Sequence, residues 1–185
     1  MQKFFININR SGGTIFAKTL GLHNEHATAK EFIANYGRDE WDEGYKFAFV
    51  RNPWDRAVAL YKFRMNATRN EGETKKVDFK DWVRLVYQEQ QPDYYDNPKI
   101  FMPQVDWLKN DEDAIDTDYV ARFENMDEEY AKLATLFGFD NEPPELRVEA
   151  RGDYRSFYDS DTVERIASWY REDVESFDYG FDGSH

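Results

Sequence analysis

Short apolar runs alternate along this chain with apolar residues at helical spacing. Phe4, Phe5, Ile6 and Ile8 have the character of a buried strand, and Thr14, Ile15, Phe16, Ala17 and Leu20 then continue as a helix. Phe47-Ala48-Phe49-Val50 and Tyr119-Val120-Ala121-Arg122-Phe123 read as two further strands. Helical spacing recurs at Phe32, Ile33 and Tyr36, at Trp54, Val58, Tyr61 and Met65, and at Phe79, Trp82, Val83 and Val86. It returns at Met126, Tyr130, Leu133 and Phe137, and in a last helix carrying Val163, Ile166, Tyr170, Val174 and Phe177.

The punctuation between these runs agrees with them. Thr28 and Glu31 have the spacing of a capping box, and Gly37 is a plausible stop for that helix. Asn52 can cap a helix whose first turn holds Pro53. Asp78 starts the next helix, Gly138 closes a later one, and Ser160 or Asp161 begins the last. Residues 68–77, 90–103 and 141–152 read as loops or irregular connections, residues 104–108 as a short helical or extended piece, and residues 111–118 as an acidic, solvated loop.

Strands that alternate with helices imply parallel pairing and a sheet covered on both faces. The reading is an α/β fold in a single domain over residues 1–180, with residues 181–185 as a disordered tail. In such sheets ligands sit at the carboxyl ends of the strands.

Composition narrows the function. A net charge of −13 disfavours non-specific binding to nucleic acid or an acidic membrane, so a bound anion needs a local cluster of cations. With no cysteine there is no disulfide, thiolate nucleophile or cysteine zinc site. No apolar run approaches the length of a membrane span, and no signal-peptide pattern opens the chain. A soluble, cytoplasmic protein is the expectation. The carboxylates of residues 111–118 lack the glycine and terminal glutamate of a calcium loop.

The candidate chemistry lies at two strand ends. Asn9-Arg10-Ser11-Gly12-Gly13-Thr14 follows the first strand: two glycines permit a sharp turn and close approach of backbone amides to a ligand, a helix start follows, and Arg10 adds a cation. Arg51, beside Asn52-Pro53, ends the second strand. A ligand with two separated phosphates suits that pair of sites.

The stretch from Phe47 to Tyr61, with Arg51-Asn52-Pro53-Trp54-Asp55-Arg56 at its centre, resembles the 3′-phosphate-binding segment of sulfotransferases, and Arg10 to Thr14 resembles their 5′-phosphosulfate loop. The likeness is greatest to the carbohydrate, or family 2, branch. It extends through His26-Ala27-Thr28-Ala29, Pro103 to Leu108, Val120 to Asn125 and Asp153 to Tyr158, in order along almost the whole chain.

That resemblance implies a P-loop nucleotide-kinase-like, three-layer fold with a central parallel sheet flanked by helices. It implies transfer of a sulfuryl group from 3′-phosphoadenosine-5′-phosphosulfate (PAPS) to an acceptor of carbohydrate or small-molecule type, without metal. Arg10, Ser11, Gly12, Gly13 and Thr14 would hold the 5′-phosphosulfate, with Arg10 also stabilising the departing charge, and Arg51 would bind the 3′-phosphate. His26 matches the histidine of the family's H-x-T pattern and is the expected base; His23 is the fallback, and Glu25 or Glu31 would serve only with a raised pKa. Arg56 is expected to be structural, paired with a carboxylate. Gln104 and Trp107 receive no role, and the tryptophans are expected in the core.

Several positions depart from the family pattern. Ala59 stands where a serine usually helps to hold the 3′-phosphate, a loss worth about 1–3 kcal/mol unless replaced. Arg147 and Glu149 stand near positions usually asparagine and serine, and Arg151 is a compensating candidate for the 3′-phosphate. Asn9 replaces a common proline and Arg10 a common lysine. Two rival readings follow. One is a non-catalytic nucleotide-binding homologue; the other is a P-loop-type kinase, for which the Gly-x-x-x-x-Gly-Lys-Ser/Thr motif is missing.

Overall fold

Three short strands form the centre of a computed structural model that describes residues 2–19, 21–22, 25–67, 75–139 and 152–184. In chain order the elements are β1 (Lys3–Ile6), α1 (Gly13–Thr19), α2 (Ala29–Tyr36), α3 (Arg38–Glu43), β2 (Tyr45–Val50), α4 (Pro53–Ala67), α5 (Phe79–Tyr87), α6 (Pro98–Phe101) and α7 (Gln104–Leu108). There follow β3 (Tyr119–Arg122), α8 (Met126–Phe137), α9 (Ser160–Trp169) and α10 (Arg171–Phe177). The chain forms two compact units, Met1–Arg51 with Gln104–Arg147, and Asn52–Pro103 with Val148–His185.

The first unit holds the sheet. Its order is β1-β2-β3 and both pairings are parallel, with Phe5 opposite Phe47 and Phe49 opposite Ala121. Side chains alternate across a strand, so Phe5, Phe47, Phe49 and Ala121 share one face. There they pack with Phe16 and Ala17 of α1 and with Met126, Tyr130, Leu133 and Ala134 of α8. The Phe5 and Phe47 rings stack at 4.9 Å and Phe16 meets Phe49 at 4.5 Å. On the other face, Phe4 meets Phe32 of α2 at 5.5 Å and Trp41 of α3 at 5.1 Å. The parallel sheet with helices on both faces is therefore present, as three strands.

The Thr28–Glu31 box forms as expected: the Glu31 amide donates to Thr28 Oγ1 at 3.2 Å and the Thr28 amide to Glu31 Oε2 at 2.7 Å. Gly37 ends α2 at φ 89° and at once precedes α3, a helix that the apolar spacing did not announce. The acidic segment 111–118 is less solvated than expected. Asp111 binds Arg38, Asp113 binds Lys30, Asp116 accepts from the Trp41 indole, and Asp118 accepts from the Lys46 amide.

The second unit is helical. Arg56 of α4 is fully buried and donates to the carbonyls of Ile100 and Met102 at 3.1 Å each, beside the Tyr170 ring. Its structural assignment agrees with that setting. Trp82 is fully buried and Trp54 nearly so, whereas Trp169 is only partly buried, its indole donating to the Phe101 carbonyl. The last helix is two helices: Tyr170 leaves helical geometry at φ −103°, ψ 31°, and its buried hydroxyl meets that of Tyr87 at 3.1 Å. The connection at residues 90–103 contains the single turn α6.

The tail also departs from expectation at its first residue. Phe181 packs its ring against Trp54, Tyr154 and Tyr158 at 5.7, 5.9 and 5.3 Å, and its carbonyl accepts from the Tyr154 hydroxyl at 2.6 Å. A single aromatic side chain among polar residues was enough to dock the segment. Among the described residues no helix is long and apolar enough to cross a membrane.

Asp159 caps α9, accepting from the Thr162 amide at 2.9 Å, and pairs with Lys80 at 2.7 Å. The Lys80 ammonium, with the Thr162 bonds, holds its carboxyl well below the usual carboxylate range. A depressed folded-state pKa gives stability that is present above the unfolded value and lost as pH falls through the folded one. Asp159→Asn keeps a capping oxygen but no charge. Urea midpoints should therefore fall less between pH 6 and pH 2 in Asp159→Asn than in wild type; parallel falls would refute the coupling.

Candidate active site at the strand ends

All three strands point their carboxyl ends the same way, so residues 7–14, Arg51 and Phe123 leave the sheet side by side. The first of these is a tight loop. The Ser11 amide and hydroxyl both donate to the Ile8 carbonyl, at 3.3 and 2.8 Å, and Ser11 is fully buried. Its hydroxyl closes the turn. Arg10 is exposed and has φ +66°, a left-handed conformation uncommon outside glycine.

The two glycines are required by their neighbours. Gly12 has φ +88°, and a Cβ there would collide with the Phe123 ring and lie 3.0 Å from Met126 Cε. A Cβ on Gly13 would collide with Asn7 Oδ1 and lie 2.6 Å from Phe5 Cζ. Gly13 and exposed Thr14 then open α1, where the first amides of a helix have no partner within it. The loop thus joins bare backbone, a helix start and an exposed cation, which is chemistry suited to an anion.

Arg51 sits against this loop. It is 2% exposed, and one guanidinium nitrogen donates to the Arg10 carbonyl at 3.1 Å. Its Cζ lies 4.3 Å from the centre of the Phe123 ring, a cation–π contact worth about 0.5–2 kcal/mol. Its backbone is gripped at two points by Gln104: the Arg51 amide donates to Oε1 at 2.9 Å, and Nε2 donates to the Arg51 carbonyl at 2.8 Å.

His26 reaches the same loop from the start of α2. Its Nδ1 lies 2.7 Å from the Asn7 carbonyl. A carbonyl can only accept, so Nδ1 carries the hydrogen and the neutral ring keeps its lone pair on Nε2. The His26 side chain is exposed, as a proton acceptor must be. Asn7 itself is buried, and its amide donates to Thr14 Oγ1 at 3.5 Å.

The structure therefore brings together Arg10, Ser11, Gly12, Gly13, Thr14, His26 and Arg51 in the first unit. His23, Arg147, Glu149 and Arg151 lie outside the described residues. Ala59 is half-buried on α4, in the second unit. Sequence reasoning missed Asn7, Gln104 and Phe123. Asn7 was the one findable signal, a polar residue between Ile6 and Ile8 in an otherwise apolar strand.

A model of the sulfotransferase family matches residues 14–180. The matched span takes in His26 and Arg51 and starts at the last residue of the loop. No curated protein and no solved structure matches the chain.

Glycine replacements should separate conformation from crowding. Gly21 has φ +61° and nothing within 4 Å of an added Cβ, so Gly21→Ala should cost about 1–2 kcal/mol. Gly12→Ala adds the overlap with Phe123 and should cost about 2–5 kcal/mol in chemical denaturation. Equal losses would show that Phe123 yields freely.

Proposed function

The chain belongs to the sulfotransferase family, and from that premise we propose that it moves a sulfuryl group from PAPS to a hydroxyl of a carbohydrate or small-molecule acceptor. One observation carries this reading. His26 and the Arg51 guanidinium both bond to main-chain carbonyls of the same glycine loop, those of Asn7 and Arg10. A base and two cations thus converge on one anion-suited turn. A parallel sheet with helices on both faces and such a loop after its first strand also accords with a P-loop nucleotide-kinase-like architecture.

The residues present fit the donor. The loop lacks side-chain bulk at Gly12 and Gly13, where a phosphosulfate would meet backbone amides, and Arg10 supplies positive charge beside them. PAPS supplies a sulfuryl group on a good leaving phosphate. As that bond breaks, negative charge grows on the departing oxygen. A fixed cation and oriented amides stabilise this more in the transition state than in the ground state. His26 Nε2 takes the proton that the acceptor hydroxyl loses, while the Asn7 carbonyl holds the ring in the required tautomer. Arg51 is assigned to the 3′-phosphate end, with Arg151 as a further candidate there. This scheme assigns no step to a metal, so turnover should survive chelation.

A non-catalytic homologue is the second reading. It is favoured by the near-complete burial of Arg51 and by Ala59 in place of a serine. Transfer of label from [35S]PAPS to a panel of sugars, lipids and phenols decides between them, with calorimetry against 3′-phosphoadenosine-5′-phosphate (PAP). Transfer to any acceptor supports the enzyme. PAP binding without transfer supports the homologue, and absence of both refutes the nucleotide assignment. With an active acceptor in hand, His26→Ala should lower kcat about 10²–10⁴-fold while leaving PAP affinity within about threefold. Unchanged kcat would place the base elsewhere.

A further inference from the structure

We propose that Arg51 is a positioning residue for the loop at residues 7–14, held in that role by Gln104 and Phe123. Its loss is then felt at the 5′ end of a bound nucleotide, and not only at a 3′-phosphate. The nucleotide half of this inference rests on the reading of the site given above; the loop half does not.

The contacts form one chain of support. Arg10 is a non-glycine residue at φ +66°, a conformation that persists where its surroundings over-determine it. The Arg51 guanidinium donates to the carbonyl of that same residue at 3.1 Å. A hydrogen bond from an ionised donor is stronger than one between neutral groups, so this one can oppose the local strain. The loop is further backed by Phe123, whose ring meets Gly12 on one side and the Arg51 guanidinium at 4.3 Å. One phenyl ring thus bears on both partners of the clamp.

Gln104 sets where the guanidinium starts. It is fully buried and bonds both the amide and the carbonyl of Arg51. Rotation of the backbone at residue 51 would break both bonds, so the side chain leaves the strand in a fixed direction. A lysine at this position would keep the charge but lose the planar group that can lie on Phe123 while donating to a carbonyl.

A Arg51 that served only a 3′-phosphate would leave the loop unaffected when removed. The clamp predicts otherwise. Hydrogen–deuterium exchange of a peptide covering residues 7–16, in the free full chain, should accelerate about tenfold or more in Arg51→Met and in Gln104→Leu. Peptides from β1 and β2 should stay protected as in wild type. Arg51→Lys should fall between, and it decides the question if Arg51→Met does not fold. Calorimetry with adenosine 5′-phosphosulfate, which has no 3′-phosphate, should show affinity lowered about tenfold or more in Arg51→Met, as with PAP. Unchanged loop exchange in folded variants would overturn the clamp. A loss confined to PAP would return Arg51 to the role of a simple 3′-phosphate ligand. If wild type binds neither nucleotide, the functional reading fails, and loop exchange alone still decides the clamp.

Discussion

Parallel pairing of β2 with both of its neighbours is the constraint on which the site depends. It aligns Ile6, Val50 and Arg122 at one end of the sheet, and whatever follows each strand emerges beside the others. Burial of Phe5, Phe47 and Phe49 on one face and Phe4 on the other fixes the register, since a slip of one residue would exchange the faces. The contacts of Arg51 with the Arg10 carbonyl and the Phe123 ring are possible because three separate stretches of chain are delivered to one place. Aromatic packing far from the chemistry thereby sets its geometry.

Much of this was legible locally. The three strands, the Thr28–Glu31 box, the starts at Pro53 and Asp78 and the stop at Gly138 are each written in a few adjacent residues. The glycine loop was legible for the same reason. What escaped was tertiary. Helix α3 has one buried anchor, Trp41, and no spacing to announce it. The break at Tyr170 falls inside an unbroken apolar rhythm, and it shows only where that ring is buried against Tyr87. Gln104 looked like any polar residue beside a proline. Its value lies in two bonds to a residue distant in sequence, which no window of sequence contains. Ser11 was recognised as part of the loop, but the direction of its hydroxyl, toward Ile8, depends on the turn itself.

The way His26 is held has chemical meaning. Many catalytic imidazoles are oriented by a carboxylate, which also favours the charged ring. Here a neutral main-chain carbonyl performs the orienting. It selects the tautomer without adding a full negative charge beside the ring. In a chain with 37 acidic and 24 basic residues, orientation by a neutral group also avoids placing one more anion next to a site meant for anions.

Gln104 has a last consequence for how the gene could vary. The chain departs from the sheet-bearing unit straight after Arg51 and resumes it at Gln104, and the two residues are stapled to each other there. Residues 52–103 are thus an excursion with its ends tied together. Such an excursion could lengthen or shorten in its surface turns without dragging on the strand ends, because the entropy of closing a longer loop grows only slowly. The staple is a hitching post that insulates the register of the sheet from the history of the insertion.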